Sequence, residues 1–331
     1  MASALLFPGP CPAWTTLGTG PVESEWFSDA QRKNCRLRHA DAQAAVSCAH
    51  ARHRFALERR PHTPSASCHS PQPQRDPLPP CSTPRMSRQF TWRLGEAEDA
   101  PFPPAETALR HPDGLLAIGG DLRPQRLLNA YAQGAFPWFS QGEPILWWSP
   151  DPRTVFATDG VHLSRRFRRQ LRTLEWEITA DTAFQHVVRA CATVPRPGQD
   201  GTWIGTDMIH AYTELHRLGH AHSVEVWEGP ELVGGIYGVA LGSMFFGESM
   251  FSARSGGSKV ALAALASLLH AGGVPVLDAQ VHNPHLARMG ATQWPRERFL
   301  AHVRQAIQQP MAPGDWSAAG ARLPLRHYLP H

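Results

Sequence analysis

Gly234-Gly235-Ile236-Tyr237-Gly238-Val239-Ala240, then Phe245-Phe246-Gly247-Glu248-Ser249-Met250-Phe251-Ser252, and finally Val276-Leu277-Asp278-Ala279-Gln280-Val281 are the runs that decide the fold. They read as apolar strands with single polar residues, flanking one amphipathic helix. Side chains on a strand alternate between faces, so Asp278 and Gln280 are expected on one side and Leu277, Ala279 and Val281 on the other. By the same rule Glu248, Met250 and Ser252 share one side of the earlier strand. A carboxylate beside an amide, with a second carboxylate and apolar residues close by, suits chemistry on an amine next to a hydrophobic group. The plainer reading is a half-exposed antiparallel strand turning its polar face to water, and strand pattern alone favours it.

Around this segment the pattern predicts helices near 163–172, 181–192, 206–218 and 257–270, and strands near 174–179, 222–228, 231–240, 242–250 and 274–281. Leu232–Ala240 and Leu241–Phe251 form a hairpin through Gly242. Gly234, Gly235 and Gly238 weaken a strand unless something approaches its backbone closely. Upstream, Leu115–Ile118 is a short apolar run ending in two glycines. Asp121 is then the expected N-cap of a helix with Pro124 in its first turn, running to about Gln133. Strand-like pieces around Phe136 and Leu146 bracket a turn, and Asp151-Pro152-Arg153 is a connector. Trp147 and Trp148 cannot both face inward from one strand, which leaves one for a ligand surface or an interface.

Charge and cysteine are unevenly placed. The first 85 residues hold ten Lys/Arg against six Asp/Glu, five of the six cysteines and twelve prolines. The remainder is electrically balanced, so basicity cannot argue globally for nucleic acid and any such site is a local cluster. Residues 1–85 cannot bury enough apolar surface to offset their ordering entropy, and Met86 is the expected natural start. No apolar run is long enough for a membrane span. There is no Cys-x-x-Cys, and the lone downstream Cys191 is expected as a small buried hydrophobe.

The helix near 163–172 places Arg165, Arg168, Arg169 and Arg172 on one face with no carboxylate between them. Phosphates relieve such repulsion, so an RNA-facing helix is favoured over a solvated one. Arg254-Ser-Gly-Gly-Ser-Lys259 is not a P-loop. It nearly matches the pyrophosphate turn of acyl-CoA acyltransferases, but Lys259 replaces the final small residue, which suits a single phosphate at a helix N-terminus. His220, His222, His282 and His285 lack a third partner for a metal. Ser249 has neither a nearby His nor a nucleophile elbow.

These residues closely resemble the bacterial leucyl/phenylalanyl-tRNA–protein transferases. The matching blocks are 111–122, Gly134-Ala-Phe-Pro-Trp-Phe, Leu146-Trp-Trp-Ser-Pro-Asp-Pro-Arg, Thr202-Trp-Ile, 218–227, 234–240, 247–252 and Leu277-Asp-Ala-Gln-Val. The resemblance implies an α/β (α+β) chain: a small N-terminal α/β domain over 86–155, then an N-acyltransferase-like domain over 156–310 with a mixed sheet flanked by helices, and a tail over 311–331. It implies an aminoacyltransferase that carries Leu, Phe or, less readily, Met from aminoacyl-tRNA to proteins beginning with Arg or Lys, marking them for N-degron proteolysis. No metal or organic cofactor, no membrane, a monomer and a cytoplasmic location are expected.

Within the family pattern Asp278 and Gln280 match residues proposed as catalytic, and Glu248 lies in the same site. Asp278 is expected to orient and polarise Gln280, Gln280 to contact the attacking amine, and Glu248 to meet the acceptor's ammonium or guanidinium, with a structural ion pair as its alternative. Trp203, Ile236, Phe245 and Met250, with Ser249 beside them, match the aminoacyl pocket. Arg165, Arg168, Arg169, Arg172 and Lys259 are the expected tRNA contacts. An acetyl-CoA N-acetyltransferase and a non-catalytic tRNA-binding module are the rivals. A chain beginning at Met86 is expected to keep full transfer activity and an unchanged melting temperature, and a substantial loss of either would show that 1–85 had been misread.

Overall fold

A computed structural model of the chain describes residues 91–95, 97, 101–193, 204–310 and 323–324. The expectations for 1–85 and for Trp203 fall outside the described residues. The first sheet contains β1 (Trp92–Leu94), β2 (Leu115–Gly119), β3 (Phe136–Pro137) and β4 (Leu146–Trp148), in the order β1-β2-β4-β3. Helix α1 (Pro124–Ala132) lies between β2 and β3 in sequence and starts with Pro at a first-turn position, where a missing N–H costs nothing. Its N-cap is Arg123, not Asp121. Asp121 instead accepts the Arg123 N–H at 3.0 Å and holds the Arg123 and Arg126 guanidinium groups. This carboxylate suits a position just ahead of a helix, and its arginine partners pull its pKa down to about 2.

The second sheet contains β5 (Arg153–Ala157), β6 (Trp176–Ala180), β7 (Ala221–Glu228), β8 (Glu231–Leu241), β9 (Met244–Ser252), β10 (Val276–Gln280), β11 (Thr292–Trp294) and β12 (Leu323–Pro324). Its order is β11-β5-β10-β9-β8-β7-β6-β12. Every neighbouring pair is antiparallel except β9 and β10. That parallel pair requires a crossover, which helix α5 (Gly257–Ala271) supplies. Helices α2 (Arg165–Leu171), α3 (Phe184–Thr193), α4 (Thr206–Arg217), α6 (Pro284–Arg288) and α7 (Arg296–Ala306) complete a mixed α/β arrangement with helices flanking the sheets. Arg153, expected in a connector, opens β5 within the larger sheet. Among the described residues no helix is long and apolar enough to cross a membrane.

The two faces of the larger sheet have different fillings. One packs on α5, whose Val260, Leu262, Leu265 and Leu269 join Ile236, Phe245, Met250 and Leu277 in one apolar cluster. A Cβ on Gly234 would lie 2.5 Å from the Gly257 backbone, so this glycine is where helix and strand backbones touch. Ser252 fixes the contact by accepting the Ser258 N–H at 2.8 Å. The other face shares a core with the small sheet: Tyr237, Val239 and Phe246 meet Leu115, Tyr131, Phe136 and Trp147. Cys191 is buried there, within α3.

Trp147 and Trp148 are both buried, and of the two places expected for one of them, a ligand surface or an interface, it is the core shared by the two sheets that takes Trp147. Strand β4 lies between β2 and β3 and is covered on both sides. Trp147 packs edge-on against Phe102 and donates to the Gly119 carbonyl, while Trp148 packs on Trp138 and donates to its carbonyl.

Candidate active site

Two irregularities, one in β9 and one in β10, build the polar centre. Against β8, Tyr237 pairs with Ser249 and Gly238 with Gly247, which leaves Glu248 as the extra residue of a bulge. The bulge shifts the alternation. Met250 lies under α5 and Ser252 bonds a residue of that helix, whereas Glu248 turns to the opposite face, towards Tyr131 and Tyr212. The expectation that Glu248, Met250 and Ser252 share a side is therefore overturned, because a period of two fails at the inserted residue. The register of Ser249 with Tyr237 puts it on the Glu248 face.

In β10, Asp278 pairs with Val155 and Gln280 with Thr154, so Ala279 is the extra residue. Gln280 has φ of +59°, a left-handed conformation that costs a residue with a Cβ about 1–2 kcal/mol. Such an outlier persists where its surroundings over-determine it. Here Asp278 Oδ1 accepts the Gln280 backbone N–H at 2.8 Å. Asp278 and Gln280 serve one face while Leu277 and Ala279 pack under α5; Val281 follows the turned backbone to the opposite core rather than joining Leu277 and Ala279.

Asp278 is held by a residue the sequence reading passed over. Arg153 donates from Nε at 2.9 Å and Nη2 at 2.7 Å to its two carboxylate oxygens, and both side chains are fully buried. The same guanidinium donates to the Gly134 carbonyl at 3.0 Å and lies between the Phe136 and Phe299 rings, 4.8 and 4.5 Å from their centroids. A bidentate pair of this kind is among the strong charge-assisted contacts. Asp278 thus acts on Gln280 through the backbone, since its oxygens go to Arg153 and to a main-chain N–H rather than to the carboxamide.

The Gln280 carboxamide points elsewhere. Its Nε2 donates to Glu248 Oε1 at 2.8 Å. Its Oε1 is buried and, among the described residues, has no hydrogen-bond partner; the same holds for Ser249 Oγ and Thr154 Oγ1. Glu248 also meets Tyr131 Oη at 2.7 Å and Tyr212 Oη at 2.8 Å, and the two phenol oxygens lie 2.6 Å apart. Neither tyrosine was singled out from sequence, although a signal existed: the chain has four tyrosines, and Tyr131, Tyr212 and Tyr237 are buried together, with Tyr212 and Tyr237 edge to face.

The structure brings Glu248, Asp278 and Gln280 together with Ser249 on the same face, and places Ile236, Phe245, Met250 and the basic residues apart from them. Ile236, Phe245 and Met250 are fully buried beneath α5, on the far face from Glu248. The β9–β10 ladder consists of Phe245–Leu277 and Phe246–Asp278 alone, so the strands are unpaired where Glu248 and Gln280 project. The Arg165–Arg172 run lies by the start of α5: Phe167 packs on Gly256, and Lys259 Nζ lies 5.3 Å from its ring centroid. Among the described residues no group of His, Cys, Asp and Glu is arranged to hold a metal.

Burial pushes the Glu248 carboxyl from its ordinary 4.5 up to about 7; hydrogen bonds from Tyr131, Tyr212 and Gln280 oppose the rise and the Asp278 charge adds to it. With its folded value above its unfolded one, the group takes up a proton on folding. Its stabilising contribution is complete below about pH 4.5 and is lost as pH rises through about 7, a difference of about 3 kcal/mol. Urea unfolding of Glu248→Gln across this range is expected to show a pH dependence flatter than wild type by about that amount. Parallel curves would mean that Glu248 titrates normally.

Comparison with known proteins places the chain in a family. A family model described as leucyl/phenylalanyl-tRNA protein transferase matches residues 155–304, and the model of that family's N-terminal domain matches 120–151. A leucyl/phenylalanyl-tRNA–protein transferase of Xanthomonas campestris pv. campestris (strain B100) is 66% identical over 232 residues, which cover 70% of this chain and 93% of that protein. One of Xylella fastidiosa (strain 9a5c) is 63% identical over 224 residues, 68% of this chain and 92% of that protein. The solved structure of L-PGS from Bacillus licheniformis aligns over 57% of this chain and 59% of its own at 13% identity with a TM-score of 0.29, too slight a likeness to bear on the fold. The chain belongs to the leucyl/phenylalanyl-tRNA–protein transferase family, and with it to the enzymes that transfer an aminoacyl group.

Proposed function

We propose that the enzyme transfers Leu, Phe and, less readily, Met from aminoacyl-tRNA to the α-amino group of proteins beginning with Arg or Lys, marking them for N-degron proteolysis. The observation that carries this reading is the buried, unpartnered Oε1 of Gln280, with its Nε2 held by Glu248 and its backbone held by Asp278. A carboxamide oxygen so placed is an acceptor for an amine N–H. The aminoacyl ester is already activated, so alignment supplies much of the acceleration. The amine nitrogen bonds to the ester carbon, the bond to the ribose oxygen breaks, and the amine's proton is balanced by the one gained on that oxygen. An α-amine has a pKa of about 7.7–8.0, so a minority is neutral and nucleophilic at pH 7.

In this reading Gln280 touches the amine, while Asp278 and Arg153 position it. Glu248, enclosed by two phenols and an amide, is a poor anchor for an acceptor guanidinium. The aminoacyl side chain is proposed to enter where the β9–β10 ladder ends and to reach Ile236, Phe245 and Met250, with Ser249 Oγ at its mouth. A slot of that kind admits Leu, Phe or Met and disfavours branching at Cβ, by about 1–3 kcal/mol.

The tRNA is proposed to lie along Arg165, Arg168, Arg169 and Arg172 towards Lys259. Among the described residues none of these pairs with a carboxylate, whereas Arg254 is engaged by Glu228 and Glu231. Burial, then Lys259 and then Arg288 hold His285 down to about 4.

Purified enzyme given an Arg-initiated peptide and, separately, Phe-tRNA or acetyl-CoA tests the reading. Phe transfer is expected; acetylation, or binding of tRNA without transfer, would replace it by one of the two rivals. Arg165→Ala with Arg169→Ala is expected to raise KM more than it lowers kcat, for many tRNA sequences alike. The log–log salt slope should fall by about one or less per lost phosphate contact. An unchanged slope would make α2 a solvated surface helix.

A further inference from the structure

Three oxygen–oxygen contacts close a ring in the buried centre. Glu248 Oε1 meets Tyr131 Oη at 2.7 Å, Tyr131 Oη meets Tyr212 Oη at 2.6 Å, and Tyr212 Oη meets Glu248 Oε2 at 2.8 Å. Each contact needs one hydrogen between its oxygens. The phenols bring two. The Gln280 Nε2 hydrogens serve a fourth contact, at Oε1. With Glu248 ionised, two hydrogens must serve three contacts, so one pair of oxygens is left facing each other with no hydrogen between them. With Glu248 protonated, every contact is satisfied: Oε2–H donates to Tyr212, Tyr212 donates to Tyr131, and Tyr131 donates to Oε1.

We propose that Tyr131, Tyr212 and Glu248 form a closed ring of three O–H···O hydrogen bonds that holds Glu248 as a neutral acid in the free enzyme, and that the two tyrosines are positioning residues for transfer. The second half rests on the function proposed above. A neutral Glu248 does not trap the acceptor's α-amine as its non-nucleophilic ammonium. The ring also leaves Oε1 as an acceptor only, so Gln280 must present Nε2 to it and turn its own Oε1 towards the amine.

The surroundings agree with a neutral carboxyl. The groups acting on Glu248 are Tyr131 from α1, Tyr212 from α4, and Gln280 and Asp278 from β10, with Tyr237 from β8 behind the two phenols. Asp278 has its cation in Arg153, so no positive charge is left over for a second carboxylate. Burial first, and then the Glu248 charge, keeps both phenols protonated well above their ordinary range.

Infrared spectroscopy of the free enzyme tests the ring without reference to turnover. A carbonyl band of a protonated carboxyl is expected at pH 6, absent from Glu248→Gln and lost from wild type as pH rises through about 7. The assignment needs a variant because Glu225 is also shifted upward by burial. Should Glu248→Gln not fold, displacement of the band in Tyr131→Phe, which removes a hydrogen bond to the carbonyl oxygen, assigns it instead. In Phe transfer, Glu248→Ala is expected to lose about 10²-fold in kcat and Glu248→Gln, which mimics the neutral acid, to recover most of that loss. Tyr131→Phe and Tyr212→Phe should each cost about tenfold in kcat at unchanged KM for Phe-tRNA, and the double variant little more, since one removal opens the ring. Absence of the band at pH 6, or Glu248→Gln no better than Glu248→Ala, would overturn the proposal. A wild-type enzyme that shows the band but transfers no Phe would instead overturn the function on which its second half rests.

Discussion

The buried pair of Arg153 and Asp278 is the constraint on which the rest of the centre depends. Removing both charges from water is costly, and a buried pair is retained only where geometry and further hydrogen bonds compensate. Here the compensation is extensive: two parallel N–H···O bonds, a third to the Gly134 carbonyl, and two aromatic faces on the guanidinium. The remaining capacity of Asp278 goes to the Gln280 backbone N–H. One ion pair therefore ties the end of α1, the start of β5 and the turn that closes β10. Removing either partner would leave an uncompensated buried charge and release the strained residue beside it.

From that anchor the two bulges acquire a meaning. Glu248 keeps the face of Met244 and Phe246, where Tyr131 and Tyr212 wait, and the extra residue carries Met250 and Ser252 across to the α5 side. The bulge at Ala279 and the left-handed Gln280 swing the carboxamide towards the same point. Local disorder of the ladder is the cost of gathering polar groups from α1, α4, β9 and β10. The apolar face under α5 stays regular, and its Ala-rich helix lets backbones approach at Gly234.

Much of this was legible in the sequence because it follows from periodicity. The β8–β9 hairpin, the α5 crossover and β10 are consequences of alternation and of glycine placement. What alternation could not supply were its own interruptions. Nothing in Gly247-Glu248-Ser249 announces an inserted residue, so Glu248 was expected beside Met250. Arg153 was hidden because its partner lies 125 positions away in the chain. The burial of both Trp147 and Trp148 depends on neighbours of the strand that spacing does not reveal. The tyrosines lay in helices that were correctly expected, but their convergence is a tertiary fact, hinted at only by the scarcity of that residue.

The central claim is that Arg153 and Asp278 act as one unit whose task is to hold Gln280 in place for the incoming amine. A double-mutant cycle on Arg153→Met and Asp278→Asn, read as kcat for Phe transfer in folded protein, tests it most directly. The account predicts that each single substitution lowers kcat by a similar large factor and that the double substitution costs no more than the worse single. Additive losses, with the double far below either single, would mean that the two residues serve transfer separately and that the pair is not what positions Gln280.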